Sequence, residues 1–210
     1  MSEKGSATTY FLVAVLVILL GAAFVAVHFH DELFTVERMK RSDYEFELAR
    51  QTVEANPYNW DAKIVLGKAY YYREEYALAA ELFKGALKMD EENNEATYYL
   101  GLAKMGLEEF EEAENYLQRA VSLAGYPDQL YYALGDLAMA KNDYDGAIYY
   151  YQRARERLPN TSDVLISLAG AFEAKGMIDE AVEILEDAGR FSPELTDQLN
   201  REIRRVKQIR

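Results

Sequence analysis

Two histidines, His28 and His30, are the only imidazoles among the chain's 210 residues. A histidine pair can ligate a metal or sense pH. Two residues apart on a helix, however, they point in different directions, and no carboxylate cluster is placed to complete a site. Both rings are therefore read as membrane-interface residues, and no metal site is expected. The second candidate chemistry is acid–base work by carboxylate pairs such as Glu111 and Glu112. A glycosidase-like mechanism holds two such groups facing each other across a pocket, whereas these fall side by side on a helix. Cysteine is absent, which excludes a thiolate metal site, a cysteine nucleophile and a disulfide framework. No phosphate-cradling glycine loop or nucleophile elbow occurs. The balance of 36 acids against 23 bases, net −13, argues against a nucleic-acid partner. The chain is not expected to be an enzyme, and no cofactor is expected; what remains is a binding or structural protein.

The elements that would position a binding surface repeat. Leu66-Gly67, Leu100-Gly101 and Leu134-Gly135 are each 34 residues apart, and Leu168-Ala169 continues the series. Alanine recurs in the same phase at Ala79, Ala113, Ala147 and Ala181, and again at Ala86, Ala120, Ala154 and Ala188. Each unit divides at a polar turn: Arg73-Glu74-Glu75, Leu107-Glu108-Glu109, Lys141-Asn142-Asp143 and Lys175-Gly176. On either side, apolar residues three and four apart mark a helix. Glycine inside a helix costs about 1 kcal/mol, so three in phase need a packing reason. The reason offered is close approach of the paired helices at Gly67 and Ala79, with Ala86 admitting the next unit.

Leu66-Gly67, Tyr70, Ala79, Phe83 and Ala86, with their equivalents one, two and three periods on, resemble the tetratricopeptide repeat family. The resemblance covers 60–195 in four units: 60–93, 94–127, 128–161 and 162–195. Pro159 and Pro193 stand at the usual unit ends, where Glu91 and Gly125 depart from the pattern. Unit 2 departs again, with Lys104 where an aromatic is common and Gly106 two residues early for the turn. The family implies antiparallel helix pairs stacked into a right-handed superhelix. Its concave face, built by the first helices, commonly binds a peptide or a partner's helix. The expected groove residues are Ile64, Lys68, Tyr71, Tyr72, Tyr98, Tyr99, Leu102, Met105, Tyr132, Asp136 and Met139, a strip rich in tyrosine and methionine. The family's clamp for a chaperone's C-terminal carboxylate is rejected. Lys68 is the one mid-groove cation, and Tyr99, Gln129 and Ala133 stand where other clamp residues belong.

Caps flank the array. Ser42-Asp43-Tyr44-Glu45 reads as a capping box opening a half-repeat over 42–59. Ser192-Pro193 opens a closing helix over 196–210, with Leu195, Leu199, Ile203 and Val206 on one face. Its basic residues Arg201, Arg204, Arg205 and Lys207 could meet anionic lipid, an acidic partner or another copy's acidic face, or simply be solvated.

Between Lys4 and Asp31 no residue is formally charged, and 10–30 is long and apolar enough to span a bilayer. A tail (1–9) would precede this span and a linker (31–41) would follow it. The rival reading is a signal peptide cleaved after Gly21 and Ala23. Against it, the apolar run continues to Val27, and the basic flank is thin. The expectation is thus all-α: an N-terminal transmembrane helix, then a right-handed α-solenoid with a C-terminal capping helix. The protein would be single-pass in the cell membrane, with the array outside the cytoplasm and a cytosol-facing array as the alternative. Its function would be to capture a membrane-associated protein or peptide. Self-association into a membrane-attached structural assembly is the other reading.

Overall fold

The computed structural model describes residues 43–124, 128–159 and 161–208. The expected transmembrane segment 10–30, its flanks, His28, His30 and Arg210 lie outside them. Among the described residues, no helix is long and apolar enough to cross a membrane. The chain divides into two compact units, 1–51 and 52–210, the boundary falling inside helix α1 (43–55). In the first unit, Arg50 pairs with Glu47 one turn earlier at 2.6 Å.

The second unit is all helix. Its elements are α2 (Trp60–Tyr72), α3 (Tyr76–Leu87), α4 (Asn94–Gly106), α5 (Phe110–Ala124), α6 (Asp128–Ala140), α7 (Tyr144–Arg157), α8 (Ser162–Ala174) and α9 (Ile178–Phe191). A 3-10 turn (Pro193–Leu195) and α10 (Thr196–Lys207) complete it. First helices begin every 34 residues, as do second helices. They pack as the pairs α2–α3, α4–α5, α6–α7 and α8–α9, and each pair stacks on the next.

Local sequence sets the boundaries. Asn59 and Asn93 cap α2 and α4 by accepting from the Ala62 and Ala96 amides at 3.0 and 2.9 Å. Every first helix ends in the same left-handed turn. The amides of Glu75, Glu109, Asp143 and Met177 donate back to the carbonyls of Tyr70, Lys104, Ala138 and Phe172 at 2.8–3.0 Å. The residue that must adopt positive φ is Glu74 (62°), Glu108 (60°), Asn142 (58°) or Gly176 (83°). Gly106 is therefore not a displaced turn glycine, which corrects the sequence expectation. This last residue of α4 is glycine because a Cβ there would meet the Tyr76 ring at 2.7 Å.

The in-phase glycines have the packing reason expected of them. A Cβ on Gly67 would lie 2.7 Å from the Phe83 ring, and one on Gly101 would lie 2.8 Å from Leu117 Cγ. Ala79, Ala86, Ala113, Ala120, Ala147, Ala154, Ala181 and Ala188 are all fully buried. The core therefore runs along the axis as a series of interfaces rather than one centre. At its end, Leu199 and Val206 of α10 are buried against α9.

Candidate peptide-binding groove

The first helices line up side by side, α4 touching both α2 and α6. Their shared face carries the expected strip, which the structure sorts into three layers.

Two members are sealed. Ile64 is 3% exposed and Leu102 is 9% exposed, both within the core. They are removed from the set of side chains able to touch a ligand. Each sits beside the stripe that packs inward, and tight stacking of adjacent first helices covers it.

The second layer is a tyrosine cluster built from units 1 and 2. Tyr71 packs edge-on to Tyr72 (centroids 5.5 Å) and Tyr99 (5.8 Å), and Tyr98 packs on Tyr99 at 5.2 Å. Tyr99 stacks on the buried Phe83 ring at 5.7 Å, which fixes the cluster to the core. The hydroxyls of Tyr72 and Tyr99 share a hydrogen bond of 3.1 Å across the two units. Lys68 Nζ donates to Glu95 at 2.7 Å and sits 5.2 Å from the centre of the Tyr99 ring. Tyr72 stays 69% exposed. Burial, with the charge of neighbouring groups, pushes the Tyr98 hydroxyl up to about 12. The four rings present amphipathic surfaces, apolar faces with polar tips.

The third layer belongs to units 3 and 4. The Tyr132 hydroxyl bonds to Ser167 Oγ at 3.0 Å, joining α6 to α8. Asp136 is half-buried, and its Oδ1 accepts from the Tyr151 hydroxyl at 2.6 Å. Burial pushes the Asp136 carboxyl above its ordinary value, against the opposing effect of that hydrogen bond. Met105 and Met139 are half-buried against the neighbouring cores. The strip thus brings together Tyr71, Tyr72, Tyr98, Tyr99 and Lys68 at one end, and Tyr132, Asp136 and Met139 at the other.

The basic tail is partly committed within the chain. Arg205 grips Glu173 of α8 with two hydrogen bonds, 2.8 and 2.6 Å, and also bonds Glu202. Lys207 lies 3.9 Å from Glu186. Arg205 thus ties the closing helix to α8, while Arg201, Arg204 and Lys207 remain exposed.

Sequence reasoning missed two polar arrangements. Tyr151 holds Asp136 from a second helix, at the position that is Phe83, Leu117 or Leu185 in the other units. A lone hydroxyl in that series was the available signal, since a buried phenol needs an acceptor. Lys104 is 5% exposed and donates to Glu109 and, at 2.9 Å, to Glu112. Burial opposes its charge, but the two carboxylates outweigh that and hold the ammonium above its ordinary value. Where unit 1 has Tyr70 and Leu78, unit 2 has Lys104 and Glu112, a paired exchange visible in the aligned repeats. Among the described residues, no group of His, Cys, Asp and Glu converges in a metal-binding arrangement.

Sequence models described as tetratricopeptide repeat match 47–94, 64–129, 100–162 and 138–197. The chain belongs to the tetratricopeptide repeat family. Among solved structures, this repeat protein is similar to MamA, at 28% identity and a TM-score of 0.67, over 76% of this chain and 95% of that one. It is also similar to YrrB, described as a tetratricopeptide repeat protein with an unusual peptide-binding site, at 23% identity and a TM-score of 0.63, over 79% and 86%. A thermophilic repeat protein of Thermus thermophilus, TTC0263, aligns at 18% identity with a TM-score of 0.66, over 83% and 94%. At these lower identities the likeness shows the fold alone. A sequence search of curated proteins finds no match.

Proposed function

We propose that this tetratricopeptide repeat protein is a membrane-anchored interaction scaffold that captures a partner polypeptide on its first-helix face. The observation that carries the reading is the tyrosine cluster of units 1 and 2. It is a rigid, core-mounted set of rings with Tyr72 left 69% exposed at its rim. Aromatic surfaces of this kind give large contact area at low entropic cost. Burying such a ring gains about 1.5–3 kcal/mol before the cost of association is taken off.

The anchor is supported by the uncharged apolar run over 10–30. It would hold the groove at the bilayer and raise its effective concentration toward a membrane-bound partner. The favoured topology puts the array outside the cytoplasm, with the cytosolic side as the alternative. Protease shaving of intact cells distinguishes the two.

The capture test uses two exposed side chains of α2, Tyr72 and, seven residues earlier on the same helical face, Val65 at 45% exposure. Tyr99 and Tyr132 are packed into the array, so removing them would confound binding with stability. Replacing exposed Tyr72 and Val65 together by serine should weaken partner capture about tenfold or more while leaving the helical circular dichroism unchanged and lowering the melting temperature by no more than a few degrees, the exposed Tyr72–Tyr99 hydrogen bond being lost. Undiminished capture would count against the groove.

A further inference from the structure

Lys68, Leu102, Asp136 and Gly170 occupy the same place in the four units, each 34 residues from the next. Their fates differ. Lys68 is neutralised by Glu95, and Leu102 is sealed. Gly170 leaves space: a Cβ there would meet nothing within 4 Å. Asp136 alone brings a charge without a counter-charge, for among the described residues it makes no ion pair. One carboxylate oxygen accepts from Tyr151, and among the described residues the other has no hydrogen-bond partner. Burial is the main reason the hydroxyls of Tyr71 of α2, Tyr98 of α4, Tyr132 of α6 and Tyr151 of α7 are pushed up, and the nearby Asp136 charge adds to it at all four. A half-buried carboxylate among four tyrosines, on the helix joined through Tyr132 and Ser167 to the one carrying the open Gly170 position, has the chemistry of a cation receptor.

We infer that this corner of the groove is a cation subsite in which Asp136 pairs with a lysine or arginine side chain of the bound polypeptide, its aliphatic stem lying against the tyrosine rings. The inference rests on the groove reading above and adds to it the partner's chemistry: a peptide with a basic residue, not an acidic tail. Charge complementarity points the same way. The chain is net −13; the Lys68 and Glu173 charges are already matched by Glu95 and Arg205, and Asp163 adds a further negative charge near Tyr132. An acidic peptide would be repelled by Asp136.

The test starts from random twelve-residue peptides displayed on phage and selected against the full chain in detergent. The best binder is then synthesised with its basic residue intact, as citrulline, or as norleucine. Affinities are read by fluorescence anisotropy for the wild type, Asp136→Asn and Tyr72→Ser. The Asn variant keeps an acceptor for Tyr151, and its melt checks the fold. The selected peptides should share a lysine or arginine at a fixed position. Loss of that charge should weaken binding to the wild type about ten- to hundredfold, but by less than about threefold on Asp136→Asn. Tyr72→Ser should weaken all three peptides alike. Selected peptides lacking a shared basic position, or an equal loss on wild type and Asp136→Asn, would overturn the subsite while leaving the groove standing. Failure to select any peptide, or binding indifferent to Tyr72→Ser, would overturn the groove reading and the subsite with it. Concentration-dependent dimers that disappear with Arg201→Ala and Arg204→Ala would assign the cation to a second copy and overturn the peptide assignment.

Discussion

Gly135→Ala should destabilise the array, although alanine is the better helix former. A Cβ at this position would stand 2.5 Å from Tyr151 Cδ1 and 2.9 Å from its Cζ, well inside van der Waals contact. The ring has little freedom to yield. It is 2% exposed, packs against Tyr132 at 5.6 Å, and is tethered by its hydroxyl to Asp136 at 2.6 Å. Alanine for glycine in a helix gains about 1 kcal/mol, whereas overpacking a close contact costs about 1–3 kcal/mol. With the ring locked, the upper part of that range applies, and the net loss is about 1–2 kcal/mol, or about 3–6 °C in melting temperature for an array of this size. Unit 4 shows the remedy: Ala169 there faces Leu185, both buried. Gly135→Ala made in a Tyr151→Leu background should therefore be neutral or stabilising, with a coupling of about 2 kcal/mol between the sites. Urea and thermal unfolding of the four proteins, followed by circular dichroism at 222 nm, measures the cycle. A stabilising Gly135→Ala in the wild-type background, or a coupling near zero, would refute the close-approach reasoning.

Three further outcomes are expected. Glu108→Gly should raise stability by about 0.5–1 kcal/mol, since the left-handed turn costs a non-glycine residue about 1–2 kcal/mol and glycine's greater unfolded-state freedom returns part of that. The same urea titration reads the gain, and Gly176→Ala should move the midpoint the opposite way. Lys104→Met should stay within about 1 kcal/mol of wild type at pH 7, because an apolar replacement also removes the desolvation cost of the ammonium. Its hydrogen bond from Lys104 holds the Glu112 carboxyl below the ordinary 4.5, so this contribution is present above that value and lost as pH falls through the folded one. The melting temperature of Lys104→Met should accordingly fall less than that of wild type between pH 5 and pH 3. The Asp136 carboxyl is raised, so its ionisation opposes folding: stability is greater below the ordinary 3.8 and declines as pH rises through the folded value. Asp136→Asn should therefore be at least as stable as wild type at pH 7, and a clear loss in its thermal melt would contradict that burial.

The stacked architecture is legible in the sequence because close-packed helices tolerate only small residues at the crossing. Gly67, Gly101, Gly135 and the alanines thus repeat with the geometry they serve. The turn of unit 2 was harder to place. Glycine is the usual marker of a left-handed residue, yet Glu108 takes that conformation, and Gly106 is small for the sake of Tyr76. Groove membership was legible only in part. Ile64 and Leu102 share their helical face with Lys68 and Tyr72. Whether such a side chain is sealed depends on how tightly neighbouring units stack, which helical periodicity does not encode. The link from Tyr151 to Asp136 crosses from a second helix to a first one, so neither helix announces it alone.

The claim that polypeptide is held on the first-helix face is tested most directly by site-specific photo-crosslinking in intact cells. A benzophenone side chain would replace Tyr72 on that face or Tyr149 on second helix α7, two positions of comparable exposure, 69% and 52%. Mass spectrometry would then identify the attached peptides. The account predicts a discrete partner segment joined through position 72 and absent from position 149. No adduct at 72, or the same adducts at both positions, would contradict it.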